Sequence, residues 1–268
     1  MVGSVQAIFL LGCDKLMAMD IYNYIKSNFT AVGHRGLPSK YMENTMESFE
    51  NAFKFTNIVE LDVHLSSDNE VFIIHDFNLE RLASLNKEIE SMNSREIYDI
   101  RVGNQKIPRL KDLLREHRDR YFLVELKTVH DDGYIIKNEL PMRTLDVIKE
   151  TGMRDHVCII SFDPYAIKQA RELNSTIMLG LDYDSHSEKY MGKIDCRDLE
   201  SMDVSLYLPE FKEEYIEKFI KIHEAGYSVL PWTVDEPEDA YKICNAGLNG
   251  FITNRVDAMP GSCGHDKK

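Results

Sequence analysis

His34 and His75, an arginine and a pair of closely spaced carboxylates fall within residues 33–76, which read GHRG at 33–36, MENTMESFENAF at 42–53, VELDVHL at 59–65 and VFIIHD at 71–76. Imidazoles titrate near neutral pH and so can serve as general acid and base. The carboxylates suggest a second kind of chemistry. If the run 58–65 is a strand, Glu60, Asp62 and His64 share one face while Val59, Leu61, Val63 and Leu65 take the other. Two carboxylates on one face repel and are best satisfied by a cation between them; hard oxygen ligands favour Mg²⁺ or Ca²⁺ over zinc. The plainer alternative for a Glu-x-Asp pair alone is a solvated strand face.

Elements must exist to carry these groups. From residue 30 onward, short apolar runs alternate with helical patterns, the signature of βα units and a parallel sheet. Eight strands are expected, at 30–34, 57–65, 121–127, 156–162, 176–182, 201–207, 227–233 and 250–254. Helices fit between them at 44–55, 134–151, 164–173, 212–225 and 237–246, and 183–199 reads as a loop or poorly formed helix. This is the pattern of a (β/α)8 TIM barrel, and 268 residues with 43% apolar content suit one such domain. One interval breaks the spacing, a short insertion between strands 2 and 3 at about 76–120, expected to lie over the barrel mouth and ending in IPRLKDLLREH, a turn then a helix. Residues 1–29 form an N-terminal extension whose Leu16, Met19, Ile21, Tyr22 and Ile25 outline an amphipathic helix closing the barrel bottom. The barrel is placed at 30–257 and a C-terminal tail at 258–268.

Composition narrows the partners. A net charge of −13 without runs of Lys or Arg argues against nucleic acid and anionic membrane. The apolar run 5–11 is too short to span a bilayer, so no stable membrane insertion is expected. LLGC at 10–13 has the form of a lipoprotein processing site, yet no Lys or Arg precedes it; the cytoplasm is the expected compartment and export the alternative. The five cysteines form no CxxC pair, and Cys158 and Cys244 read as buried small hydrophobes in a fold independent of disulfides.

In such a barrel the chemistry sits at the C-terminal ends of the strands. His34 and Arg35, Glu60 and Asp62, Glu125 and Lys127, Trp232, and Asn254 would all converge on that rim. The ordered set GHRG, ENT, ELDV, HD, ELK, WTV and GFITNR, over about 30–256, resembles the glycerophosphodiester phosphodiesterase family. The resemblance implies a (β/α)8 barrel, a divalent cation, and hydrolysis of glycerophosphodiesters to glycerol 3-phosphate and an alcohol. It matches His34 and His75 to the two catalytic histidines, Glu60, Asp62 and Glu125 to the metal carboxylates, and Arg35 and Lys127 to the phosphate-binding cations. Trp232 is a candidate substrate contact or a barrel plug, and Glu43 a supporting residue or helix N-terminal charge. Departures from the common pattern are Met42 before Glu43, SSDNE at 66–70 and RLA at 81–83, which bear on loop shape and the leaving-group pocket. His64, His117, His130, His156, His186, His223 and His265 are read as surface or structural. Two alternatives stay open: a phosphodiesterase acting on lysophospholipid or sphingolipid head groups, and a non-catalytic barrel binding phosphorylated ligands. Which histidine is acid, whether water or the glycerol 2-hydroxyl attacks, and the oligomeric state are not encoded in the motifs.

Overall fold

The computed structural model describes residues 19–130, 133–136 and 138–260. In chain order its first half contains α1 (Ile21–Ser27), β1 (Thr30–Gly33), α2 (Met46–Ala52), β2 (Ile58–Leu65), β3 (Val71–Ile73), α3 (Glu80–Ala83), α4 (Ser94–Asp99), β4 (Arg101–Val102), β5 (Gln105–Lys106), α5 (Leu110–Glu116) and β6 (Tyr121–Leu126). There follow α6 (Leu140–Thr151), β7 (Val157–Ser161), α7 (Pro164–Leu173), β8 (Met178–Tyr183), α8 (Glu188–Met191), α9 (Cys196–Ser201), β9 (Leu206–Pro209), α10 (Ile216–Glu224), β10 (Ser228–Val229), α11 (Pro237–Asn245) and β11 (Gly250–Thr253).

Eight parallel strands run in the order β10-β9-β8-β7-β6-β2-β1-β11, and the sheet curls into a nearly closed barrel. At the seam between β10 and β11, Ile252 donates its N–H to the Pro231 carbonyl and accepts from the Val234 N–H, both at 2.9 Å. Alternation along the strands sorts the side chains. Val32, Ile58, Leu123, Cys158, Ile160, Leu206, Leu208, Leu230 and Ile252 form one buried cluster, and Ile21 and Ile25 of α1 pack into it, closing that end of the barrel. The opposite faces, such as Val59, Leu61, Phe122 and Val124, pack in a second cluster with helix residues Phe49, Ile148 and Ile167. Continuing the inward positions along β2, β6 and β8 replaces apolar residues by Glu60, Asp62, Glu125 and Asp182.

The inserted segment has its own small core of Phe72, Ile74, Leu79, Ile89, Met92 and Ile97. It follows β3, which returns antiparallel along β2 with Val63 opposite Ile73. That return carries His75 back beside the carboxylate strand.

Several expected bounds shift, each for a local reason. The sixth barrel strand, expected from Ser201, begins at Leu206, because Asp195 and Asp198 form a capping box that starts α9 and keeps 196–201 helical. Residues 183–199, read as loop or poor helix, therefore hold α8 and most of α9. The seventh strand shrinks to Ser228–Val229; Pro231 has no N–H to continue the ladder, although Leu230 and Trp232 still donate to Tyr207 and Pro209 carbonyls. The helix expected from 134 starts at Leu140, with Pro141 in its first turn. At the N-terminus α1 covers only Ile21–Ser27, Met19 precedes it and is exposed, and Leu16 lies outside the described residues. Cys158 and Cys244 are both buried as read, Cys158 as a free thiol and Cys244 in a disulfide. No helix among the described residues is long and apolar enough to cross a membrane.

Candidate active site

The rim begins with a tight turn. After β1, Arg35 adopts φ 52° and Gly36 φ 90°, and a Cβ on Gly36 would lie 2.4 Å from the Ser48 Oγ, so only glycine fits. Ser48 Oγ accepts from the Leu37 N–H at 2.8 Å and donates to the Arg35 carbonyl at 3.0 Å, pinning the turn to α2. Each residue of the ENT motif then has a separate task. Glu43 accepts from Arg35 Nη1 at 3.1 Å, Asn44 donates from Nδ2 to Asp62 Oδ2 at 2.8 Å, and Thr45 caps α2 by accepting from the Ser48 N–H.

Glu60, Asp62 and Glu125 are all buried, which excludes the solvated strand face, and Asp62 and Glu125 sit opposite each other on adjacent strands. One oxygen from each lies within 4.8 Å of the others. Asp62 Oδ1 is buried and has no hydrogen-bond partner among the described residues. The local cations are Lys127, 3.0 Å from Glu125 Oε1 and 3.8 Å from Asp62 Oδ1, and Arg35, whose Nε is 3.3 Å from Asp62 Oδ2 and whose backbone N–H donates to Glu60 at 3.0 Å. Burial, then the neighbouring acids Asp62 and Glu125, push the Glu60 carboxyl well above the usual range. Burial also raises Glu125, helped by Asp62 and opposed by Lys127. In Asp62, burial is outweighed by the charges of His75, Arg35 and Lys127, which hold it well below the usual range. Oxygen donors, an orphaned oxygen and uncompensated negative charge fit a hard divalent cation.

The two histidines differ in their partners. Asn254 donates from Nδ2 to Asp235 Oδ2 at 2.7 Å and from its backbone N–H to Asp235 Oδ1 at 2.8 Å, which fixes the amide with Oδ1 toward His34 Nδ1, 2.8 Å away. An amide oxygen only accepts, so His34 carries its proton on Nδ1 and leaves Nε2 open, 3.8 Å from Glu60 Oε2. Burial, then the adjacent Arg35 charge, lowers the His34 pKa to about 4. His75 places Nδ1 2.7 Å from the Asp76 carboxylate and Nε2 3.3 Å from Lys127 Nζ. Burial disfavours ionisation of Asp76, but hydrogen bonds from His75 and Arg81 outweigh it and hold its carboxyl well below the usual range.

The histidines read as surface or structural divide. His64 is fully buried beneath the site and places Nε2 3.1 Å from the His75 carbonyl, while its ring meets Phe77 edge to face; burial lowers its pKa to about 3, so it is a neutral donor. His130 and His186 instead line the candidate cavity, and His265 lies outside the described residues. That cavity, about 340 Å³, opens between His34, His75, Glu60, Glu125 and Lys127 on one side and an aromatic wall on the other. Trp232 stands in this wall at right angles to Phe162, 5.6 Å between ring centres, with Nε1 donating to the Leu208 carbonyl.

All eight sequence-selected residues therefore lie at one site: Asp62 joins the others through its contacts with Arg35 and Lys127. Sequence reasoning missed Asp76, Arg81, Asp182 and Asp235. Asp182 is buried with Oδ2 unpaired among the described residues, and burial followed by Glu125 and Glu60 pushes its carboxyl well up. The inward alternation of β8 could have indicated it; Asp76 was visible as part of the HD pair.

Comparison with known proteins gives the same picture. The model of the "Glycerophosphoryl diester phosphodiesterase family" matches residues 34–258. A glycerophosphodiester phosphodiesterase of Caldanaerobacter subterraneus subsp. tengcongensis is 24% identical over 238 residues, covering 85% of this chain and 95% of the relative. The solved glycerophosphodiester phosphodiesterase of Thermotoga maritima superposes with TM-score 0.71 at 26% identity, over 85% and 96% of the two chains. An Oleispira antarctica phosphodiesterase, solved with the product sn-glycerol-3-phosphate, superposes with TM-score 0.69 at 23% identity over 85% and 94%. With the family model spanning the whole rim from the first histidine past the last strand, the chain belongs to the glycerophosphoryl diester phosphodiesterase family.

Proposed function

We propose that this chain hydrolyses small glycerophosphodiesters to glycerol 3-phosphate and an alcohol, using Mg²⁺ or Ca²⁺ held by Glu60, Asp62 and Glu125. The observation carrying the reading is that Glu60 and Glu125 face one cavity with two differently partnered histidines, while buried Asp62 clusters with both carboxylates. In this reading 30–257 is the catalytic unit and 76–120 its insertion.

A phosphodiester anion repels nucleophiles, so its charge must be offset first. Arg35 and Lys127 flank the carboxylates and supply fixed positive charge for the non-bridging oxygens. Glu60, Asp62 and Glu125 would hold the cation, which when bound would supply Lewis-acid polarisation at the phosphoryl group. His34 acts as base. Its open Nε2 accepts the proton of the attacking oxygen, whether that belongs to water or to the substrate's glycerol 2-hydroxyl, the latter gaining from proximity. As the new P–O bond forms, the bond to the leaving alcohol breaks, its electrons pass to the leaving oxygen, and His75 delivers a proton there. The Asp76 carboxylate, 2.7 Å from Nδ1, stabilises the imidazolium needed for that delivery; it is nearer than the opposing Lys127 ammonium at 3.3 Å. Trp232 and Phe162 wall the cavity in which substrate carbon can be buried.

The test offers purified protein several glycerophosphodiesters, glycerophosphocholine among them, with and without added divalent cation. Cation-dependent release of glycerol 3-phosphate is expected. Turnover confined to long-chain lysophospholipids would transfer the site to the lipid-directed alternative. Binding without any turnover would leave a ligand-binding barrel.

A further inference from the structure

We infer that Arg81, from the inserted segment, is a positioning residue that fixes both the proposed acid His75 and the phosphate-binding Arg35. This inference rests on the acid role proposed above for His75. The Arg81 guanidinium makes two forked contacts. Toward Asp76, Nε donates to Oδ2 at 2.6 Å and Nη2 to Oδ1 at 2.9 Å; toward Glu43, Nη2 donates to Oε1 at 2.7 Å and Nη1 to Oε2 at 3.2 Å. The same Asp76 Oδ1 holds His75 Nδ1, and the same Glu43 Oε1 holds Arg35 Nη1. A single chain of contacts, His75–Asp76–Arg81–Glu43–Arg35, therefore joins the two sides of the rim.

Neither carboxylate could keep its place alone. Asp76 and Glu43 are acceptors only, and side-chain rotation would let each follow solvent instead of its partner. A planar guanidinium presenting two edges fixes the planes of both at once, which a lysine ammonium cannot do. Arg81 is itself held. The preceding Leu79 is fully buried in the inserted segment's core, and Ser84 closes α3 in the left-handed region with its N–H on the Glu80 carbonyl. An isolated pair this exposed, with half the Arg81 side chain open to solvent, would contribute little. The double fork and the shared oxygens make it a network.

The readout follows from what an acid does. A leaving alcohol needs a proton, whereas p-nitrophenolate departs without one, so loss of the acid or of its orientation should slow the alkyl substrate selectively. Arg81→Gln and Arg81→Lys are compared with His75→Ala on a glycerophosphodiester of an alkyl alcohol and on its p-nitrophenyl counterpart, at saturating divalent cation. His75→Ala should lower kcat on the alkyl substrate at least tenfold more than on the aryl one. Arg81→Gln should show the same selectivity at smaller size, roughly tenfold, and a several-fold rise in KM for both substrates because Arg35 is loosened. Arg81→Lys should keep the melting temperature without restoring kcat. If His75→Ala is not selective, the acid role fails and the inference with it. If His75→Ala is selective but both Arg81 variants affect the two substrates equally, or neither, Arg81 only stabilises the fold and the inference is overturned.

Discussion

His34 and His75 carry the same side chain, and their different proposed roles rest on what touches Nδ1: a neutral amide oxygen in one, a carboxylate in the other. His34→Ala and His75→Ala are each expected to lower turnover of alkyl substrates about a hundredfold or more, as loss of a general acid or base does. Near wild-type kcat in either variant would remove that histidine from the mechanism. Asp76 gives a prediction in stability. Its carboxyl is depressed in the folded chain, so the stabilisation it contributes is complete above its unfolded value, near 4, declines below that and is lost as pH falls through the lower folded value. Asp76→Asn should therefore cost about 1–2 kcal/mol at pH 7, with a smaller gap to wild type at pH 3 in urea melts that closes only as pH falls through the depressed folded value. A gap of constant size at both pH values would deny the ionic contribution. At this scale the sequence was legible where a motif names a group that lines the candidate site. The partners one shell further out were hidden, because Asp235 meets Asn254 only through the barrel seam and Arg81 meets Glu43 only across the inserted segment.

Among the elements, β2 is the most constrained. Its alternation was readable as Glu60 and Asp62 on one face, but the other face is buried too, because both surfaces of a barrel strand are covered. Glu60→Gln keeps the shape and removes a charge, so cation affinity should fall at least tenfold, read as the cation concentration for half activity. Unchanged cation dependence would place the metal elsewhere. Exchanging 76–120 for a relative's segment should change which alcohol is preferred, since loops on a rigid barrel tune specificity. If Arg81 acts as inferred, only segments that retain an arginine there will also keep turnover. An unchanged substrate profile in a folded chimera would count against the specificity role. The eight barrel strands were legible because apolar runs and helix stops coincide; the sixth starts later than expected, after the helix capped by Asp195, and the seventh is shorter, because Pro231 lacks an N–H.

For the molecule as a whole, three buried carboxylates with two flanking cations leave the folded state short of positive charge, and a cation bound there is also a ligand of the native state. Mg²⁺ or Ca²⁺ at a hundred times its Kd should add about 2.7 kcal/mol and raise the melting temperature by several degrees, with excess chelator reversing the shift and abolishing turnover. Full activity in chelator, with bound metal excluded by elemental analysis, would rule the site out. The barrel class was legible from the βα rhythm, whereas closure was not, since it depends on pairing the two ends of the pattern.

That pairing sets a schedule. β1 is registered against β11 from Thr30 opposite Gly250 to Gly33 opposite Thr253, so His34 leaves the ribosome 220 residues before its partner Asn254. Until then one edge of β1 has no strand to pair with and is open to wrong neighbours. The proposed base is likewise unoriented. Completion of the last strand both seals the edge and sets the imidazole, so a nascent chain arrested before Gly250 would hold nearly all of the reaction's residues and remain silent.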